Sequence, residues 1–156
     1  MTRVQVARSS TTSQDGAVAL RRDAKIELLK RAPLFSGCSK SELRALASTA
    51  DELDLREGTI ITREGRPGRE FFVLISGTAE VTKNGKEVAQ LGAGDWFGEI
   101  ALLTDAPRTA TVKATSPVDV LVITDRSFRT VVETMPSIAL KILSSVSARL
   151  AHDAHS

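Results

Sequence analysis

The sequence predicts a mainly β fold with flanking helices, its strands arranged as a jelly-roll-like antiparallel barrel. Three observations carry this. From Asp51 to Ile123 the apolar residues recur with a period near two, punctuated by Gly58, Gly65, Gly68, Gly77, Gly85, Gly92 and Gly94. Short strands joined by tight turns at that spacing fit an all-β roll better than any helical arrangement. Asn84-Gly85 stands between two alternating runs, and Asn-Gly is the pair that a two-residue hairpin turn prefers, since both positions need positive φ. On either side of this region the period lengthens to that of a helix.

In chain order, residues 1–22 contain SSTTSQDG and no sustained period, which predicts a flexible tail ahead of one domain over residues 23–156. A helix starts near Asp23 with Ile26, Leu28 and Leu29 and stops before Pro33, after which Leu34 and Phe35 anchor the chain to the core. Ser39 and Glu42 form a capping box for a second helix, whose Leu43, Leu46, Ala47 and Ala50 make one apolar face. Leu53 and Leu55 then alternate with charges, Ile60 and Ile61 follow Gly58, and Phe71 to Ile75 form a buried strand ending at Ser76-Gly77. The Asn84-Gly85 turn joins AEVT to KEVAQL, and TATVKA and VDVLVI supply two more strands across Ser116-Pro117. Asp125 is the expected N-cap of a helix carrying Phe128, Val131 and Val132, broken at Met135-Pro136. The last helix, from about Pro136 to Ala151, places Ala139, Ile142, Leu143, Val146 and Leu150 on one stripe. Ile138 and Leu140 lie off it, and either widen the buried face or meet a second copy.

Composition narrows the class. A length of 156 residues allows about one domain with a real core, and 42% hydrophobic with 26% charged residues is ordinary for a soluble globular chain. The net charge of +2 is carried by the tail, where Arg3, Arg8, Arg21 and Arg22 face only Asp15, so residues 23–156 are close to neutral. That argues against a groove that tracks nucleic-acid phosphates directly. Cys38 is the one cysteine, which excludes an internal disulfide and suggests a small buried filler. No apolar run approaches a membrane span and no signal-peptide core follows Met1, so a cytoplasmic protein is expected.

The chemistry concentrates in residues 97–112, FGEIALLTDAPRTATV. Gly98 falls where a strand gives way to a short helix, and glycine there lets backbone N–H groups approach an oxyanion closely. Ala101 is small for the same reason. Pro107 stiffens the backbone immediately before Arg108, whose guanidinium can fork onto phosphate oxygens. Glu99 would repel a phosphate and is better suited to accept from a hydroxyl such as a ribose 2′-OH. One anion and one sugar hydroxyl describe a nucleotide. The alternative is that Glu99 and Arg108 pair with each other in a closed loop.

This stretch resembles the phosphate-binding cassette of cyclic-nucleotide-binding domains, the family of the bacterial catabolite activator and the protein kinase A regulatory subunit. Gly98, Glu99, Ala101, Pro107, Arg108, Ala110 and Val112 sit at the family's spacing. The resemblance implies a β-roll between N-terminal helices and C-terminal B/C-type helices, with Gly58, Gly65, Gly77 and Gly94 at its corners. It implies cyclic AMP, or else cyclic GMP, as ligand, and no metal. Glu99 would take the ribose hydroxyl, Arg108 the phosphate, and the N–H groups of Gly98, Ile100 and Ala101 the remaining oxygens. Val81, Val88 and Ala89 would face the purine, and the Thr109 hydroxyl would bond either the phosphate or a guanine amino group. Arg149 fits the position from which the family's last helix caps the base, but Asp153 and Ala154 stand where gene activators have Thr and Ser. Arg149 is therefore either a lid residue or a solvated cation at a helix end. Arg69 occupies a position where the family often has an acid. The implied mechanism is movement of the terminal helices on binding, with a homodimer or a protein partner meeting the C-terminal helix.

Other motifs point nowhere further. His152 and His155 form HxxH without cysteines or paired carboxylates, which is at best a fraction of a metal site. No nucleophile elbow, HExxH or P-loop string occurs. Asp95 precedes Glu99 by one strand end, yet with an arginine and no histidine beside them the pair suits binding, so a non-enzyme is expected. Two other readings compete with a nucleotide sensor. One is an interaction or structural domain that keeps the β-roll without nucleotide. The other is the sensor half of a transcription regulator, although no basic helical pair follows to read DNA before Ser156.

Overall fold

The structure, a computed structural model, describes residues 21–155. Helix α1 (Arg22–Lys30) leads through a 3-10 turn at Pro33–Phe35 to α2 (Lys40–Ala47). Strands β1 (Asp51–Leu55), β2 (Ile60–Thr62), β3 (Glu70–Ser76), β4 (Ala79–Lys83), β5 (Lys86–Leu91) and β6 (Trp96–Phe97) follow. The short helix α3 (Ile100–Leu103) interrupts them before β7 (Thr111–Ala114) and β8 (Val118–Thr124), and α4 (Asp125–Thr134) and α5 (Ser137–His155) close the described chain. The predicted 1–22 tail lies almost wholly outside the described residues. Among those that are described, no helix is long and apolar enough to cross a membrane.

The strands form two antiparallel four-stranded sheets, ordered β1-β8-β3-β6 and β2-β7-β4-β5. This is the expected roll. Asn84 (φ 54°) and Gly85 (φ 79°) make the hairpin turn between β4 and β5, and Gly58, Gly65, Gly77 and Gly94 at the corners all take positive φ.

Strand β3 reads as a continuous apolar run because it is buried on both faces. Phe71 and Val73, with Leu121 and Ile123 of β8, pack against Leu29, Phe35, Leu46 and Phe128 of the helical layer. Phe72 and Leu74, with Val120 and Val122, turn the other way into the roll, where they meet Ala79, Val112 and Ala114 of the second sheet. One sheet thus separates two cores, and the period-two geometry of a strand assigns alternate residues to each.

The capping box forms as read: Ser39 Oγ accepts from the Glu42 N–H at 3.1 Å and Glu42 Oε1 from the Ser39 N–H at 2.7 Å. Glu42 does more than cap. Its carboxylate is 3% exposed, accepts from Lys141 Nζ at 2.5 Å, and is also bonded by the Ser137 hydroxyl, so it ties α2 to the first turn of α5.

Three expectations are corrected. The N-cap of α4 is Thr124, whose hydroxyl accepts from the Ser127 N–H at 3.1 Å; Asp125 is the first helical residue, and its carboxylate bonds Arg69 at 3.0 Å instead. The buried face of α5 is Ile138 (0% exposed) with Ile142, whereas Ala139 is exposed and Leu143 is 62% exposed. The physical reason is that α5 packs on the 3-10 turn and α4 with Ile138 and Ile142 in the helical core, while Lys141 docks on Glu42, and these contacts set its rotation rather than the widest apolar stripe. The side chains of Val146 and Leu150 lie outside those described. Cys38 is half-buried at the edge of the helical core, and burial, followed by the charge of Glu42, pushes its thiol up to about 11.

Candidate functional site

The site is assembled where three stretches meet: the loop at 65–70, the end of β6 with α3, and the turn that leads into β7. Strand β6 pairs with β3 at Phe72↔Phe97 and Val73↔Trp96, and then the chain turns sharply at Gly98, which has φ +84°. A Cβ there would stand 2.7 Å from both Arg108 Nη1 and the Glu70 carbonyl oxygen. The expected strand-to-helix switch is present: Glu99 is the N-cap residue of α3, with Ala101 and Leu102 buried and Ile100 46% exposed.

Arg108 is held from several sides. Its N–H donates to the Arg66 carbonyl at 2.9 Å and its carbonyl accepts from the Gly65 N–H at 2.8 Å, so the backbone is fixed before the side chain begins. The side chain is only 8% exposed, with Nη2 3.2 Å from Glu70 Oε1 and its guanidinium carbon 5.8 Å from the centre of the Phe72 ring. Phe72 in turn stacks on Phe97 at 4.9 Å. Burial pushes the guanidinium pKa down from the ordinary arginine value, while Glu70 pushes it back up. An arginine so placed remains a cation.

Gly68 completes the cradle. A Cβ on it would lie 1.8 Å from Arg108 Nε. The sequence marks Gly68 only as one of the glycines between strands, and Glu70 not at all. Gly68 carries some signal as the second residue of Pro67-Gly68, a pair that marks a turn. Glu70 carries none locally, because its partner lies 38 residues along the chain.

The other predicted residues fall as follows. The Ala101 N–H donates to the Gly98 carbonyl at 3.1 Å, so a bound oxyanion would have to share that donor. Thr109 is exposed. Val81 and Ala89 are directly paired across β4 and β5, which puts them on one face of the sheet. Val81 packs on the roll core, and Ala89 on the same face is exposed. Val88 sits at the bulge between these pairings and is 57% exposed. Arg149 lies in α5, but its side chain is outside those described, as are those of His152 and His155. Among the described residues, no group of three or more His, Cys, Asp or Glu could hold a metal.

Arg69, the departure from the family pattern, turns away from Arg108. It bonds Asp125 at 3.0 Å and lies 3.9 Å from Asp105, linking the 65–70 loop to the start of α4 and to the loop after α3. The carboxylate beside Arg108 comes from the neighbouring position, Glu70.

Comparison with known proteins agrees with this geometry. The chain is 41% identical over 120 residues to the cAMP-dependent protein kinase regulatory subunit of Mycosarcoma maydis, covering 69% of this chain and 22% of that one. It spans about a quarter of the length of the curated relatives it matches. Among solved structures, the N-terminal domain of a transcriptional regulator from Streptomyces coelicolor A3(2) superposes with a TM-score of 0.74 at 27% identity, over 81% of this chain and 94% of that one. The regulatory domain of Toxoplasma gondii PKA, crystallised with cAMP, superposes with a TM-score of 0.67 at 30% identity, over 83% of this chain and 50% of that one. The family model for the cyclic nucleotide-binding domain matches residues 52–135, which take in all but the first residue of the roll, the Gly98 turn and Arg108. With the roll, the cassette turn and a buried arginine on a glycine-lined cradle in place, the chain belongs to the cyclic nucleotide-binding domain family.

Proposed function

We propose that this chain is a cyclic-nucleotide sensor that binds cyclic AMP, with Arg108 receiving the phosphate and Glu99 the ribose 2′-OH. The observation that carries the reading is the burial of Arg108. A guanidinium that is 8% exposed between two glycines costs stability to desolvate, and such a cost is retained where a charged ligand needs a rigid partner. Val81 and Ala89, paired on one face of the second sheet, supply the apolar surface for the base, with Val88 beside them. Cyclic AMP is preferred over cyclic GMP because the matched regulatory subunits are named for it and the Toxoplasma domain was crystallised with it.

The role is binding and regulation rather than catalysis, exercised in the cytoplasm by residues 23–156 as one module. Helix α5 carries the response: its first turns are docked on the helical layer, and its distal turns, with Arg149, close toward the base when ligand fills the roll. A partner, either a second copy or another protein, meets this helix through Leu140 and Leu143, which are 70% and 62% exposed. The superposition on a regulator's N-terminal domain favours one further setting, the sensor half of a transcription factor.

Calorimetry tests the core of the proposal. Cyclic AMP should bind the wild type, and Arg108→Ala should weaken it by tens- to thousands-fold, since truncating one partner of a buried charge-assisted contact costs roughly 2–5 kcal/mol. Glu99→Ala should cost less. A wild type that binds neither cyclic AMP nor cyclic GMP would leave the interaction-domain reading standing.

A further inference from the structure

We infer that Glu70 is the resident counter-ion of Arg108, and that it sets the ligand affinity of the cassette by competing with the incoming anion. The inference rests on the cyclic-nucleotide reading for its ligand, and on the Glu70–Arg108 contact for its mechanism.

Arg108 is nearly buried, and a buried guanidinium left without an anion is strongly destabilising. Glu70 Oε1, at 3.2 Å from Nη2, supplies that anion. The carboxylate is itself pinned, because the same Oε1 accepts from the Arg69 N–H at 3.3 Å. The Arg69 side chain does not cancel the Glu70 charge, since it is committed to Asp125 and Asp105 on the outer side of the loop. The cradle therefore holds one fixed cation with one fixed anion against it.

The contact uses a single N–H of a five-donor fork, so a phosphate can join Arg108 without expelling Glu70. Both anions then share one cation. For an assumed separation of about 6 Å and an effective dielectric of about 40–80, their repulsion weakens binding by roughly three- to tenfold. Glu70 is 44% exposed, which keeps the penalty in this modest range. The carboxylate thus stabilises the ligand-free cassette and raises the messenger concentration needed to fill it.

Glu70→Gln tests this in the whole chain, because glutamine keeps an acceptor for the Arg69 N–H and removes only the charge. Isothermal titration with cyclic AMP should show Kd falling by about three- to tenfold, and the melting temperature of the ligand-free protein should fall by roughly 2–5 °C, recovering at saturating nucleotide. A Kd unchanged or raised, in a protein whose binding is still abolished by Arg108→Ala, would overturn the inference and make Glu70 a positioning residue that helps the ligand. If the wild type binds no cyclic nucleotide, the functional reading falls and the melting measurement judges the counter-ion alone. A loss of stability from Glu70→Gln that vanishes in an Arg108→Gln background supports it; an equal loss in both backgrounds refutes it.

Discussion

Gly68 and Gly98 stand on either side of Arg108 and exclude a side chain for different reasons. At Gly98 the φ of +84° disfavours any L side chain, and a Cβ would also press on the Glu70 carbonyl oxygen at 2.7 Å. At Gly68 the backbone is unstrained, and the obstacle is the arginine itself, 1.8 Å from where the Cβ would be. The two alanine variants should therefore separate. Gly98→Ala should lose on the order of 1–3 kcal/mol of stability as well as binding, whereas Gly68→Ala should displace a flexible side chain, weaken cyclic AMP binding at least about tenfold and leave the melting temperature within a few degrees. Thermal melts beside calorimetry on both variants check this. Gly98, Glu99, Ala101, Pro107 and Arg108 were legible as a cluster because a dozen residues of sequence carry them all. Glu70 and Phe72 were not, because their relation to Arg108 exists only after β3 is laid beside β6.

Glu42 shows how one side chain can be read correctly and incompletely. Its spacing from Ser39 predicts the cap, which is local, but its ties to Ser137 and Lys141 cross the molecule and join α2 to α5. Lys141 first, then Ser137 and the Ser39 N–H, lower the Glu42 pKa from 4.5 to about 2. Because the folded value is the lower one, this contribution is present above pH 4.5 and is lost as pH falls from there toward 2. Melting temperature against pH should drop across that window in the wild type and less in Glu42→Gln, which should itself be destabilised at neutral pH by about 2 kcal/mol or more. Helix α5 makes the complementary point. Ile138→Ala, at a fully buried position, should cost about 2–4 kcal/mol, while Leu143→Ala should stay within about 0.5 kcal/mol. Chemical denaturation distinguishes this order from the one expected of the Ala139-Leu143 stripe. That stripe misleads because apolar periodicity along a helix marks which faces are able to bury, and the neighbours, here the Pro33–Phe35 turn, α4 and Glu42, select among them.

The sheet β1-β8-β3-β6 divides the molecule into a helical core and a roll core, with Val81 and Phe97 packed on one side and Ile138 and Ile142 of α5 docked on the other. For α5 to report on ligand, the bound state must offer it contacts that the free protein lacks. Hydrogen exchange at saturating cyclic AMP should therefore raise protection in residues 137–152 as well as 97–112. Protection confined to 97–112 would remove α5 as a lid. The sequence by itself determined the class of fold, the order of the elements, the Asn84-Gly85 hairpin and the cassette, because each depends on residues close together in the chain: a period of two, a turn pair, a glycine and an arginine around one bend. Only the tertiary structure decided which face of α5 is buried, that Thr124 rather than Asp125 caps α4, and that Arg69 serves Asp125 while Glu70 serves Arg108. Those outcomes are choices among side chains of equal local merit, settled by partners dozens of residues away that the folded sheets bring within hydrogen-bonding reach.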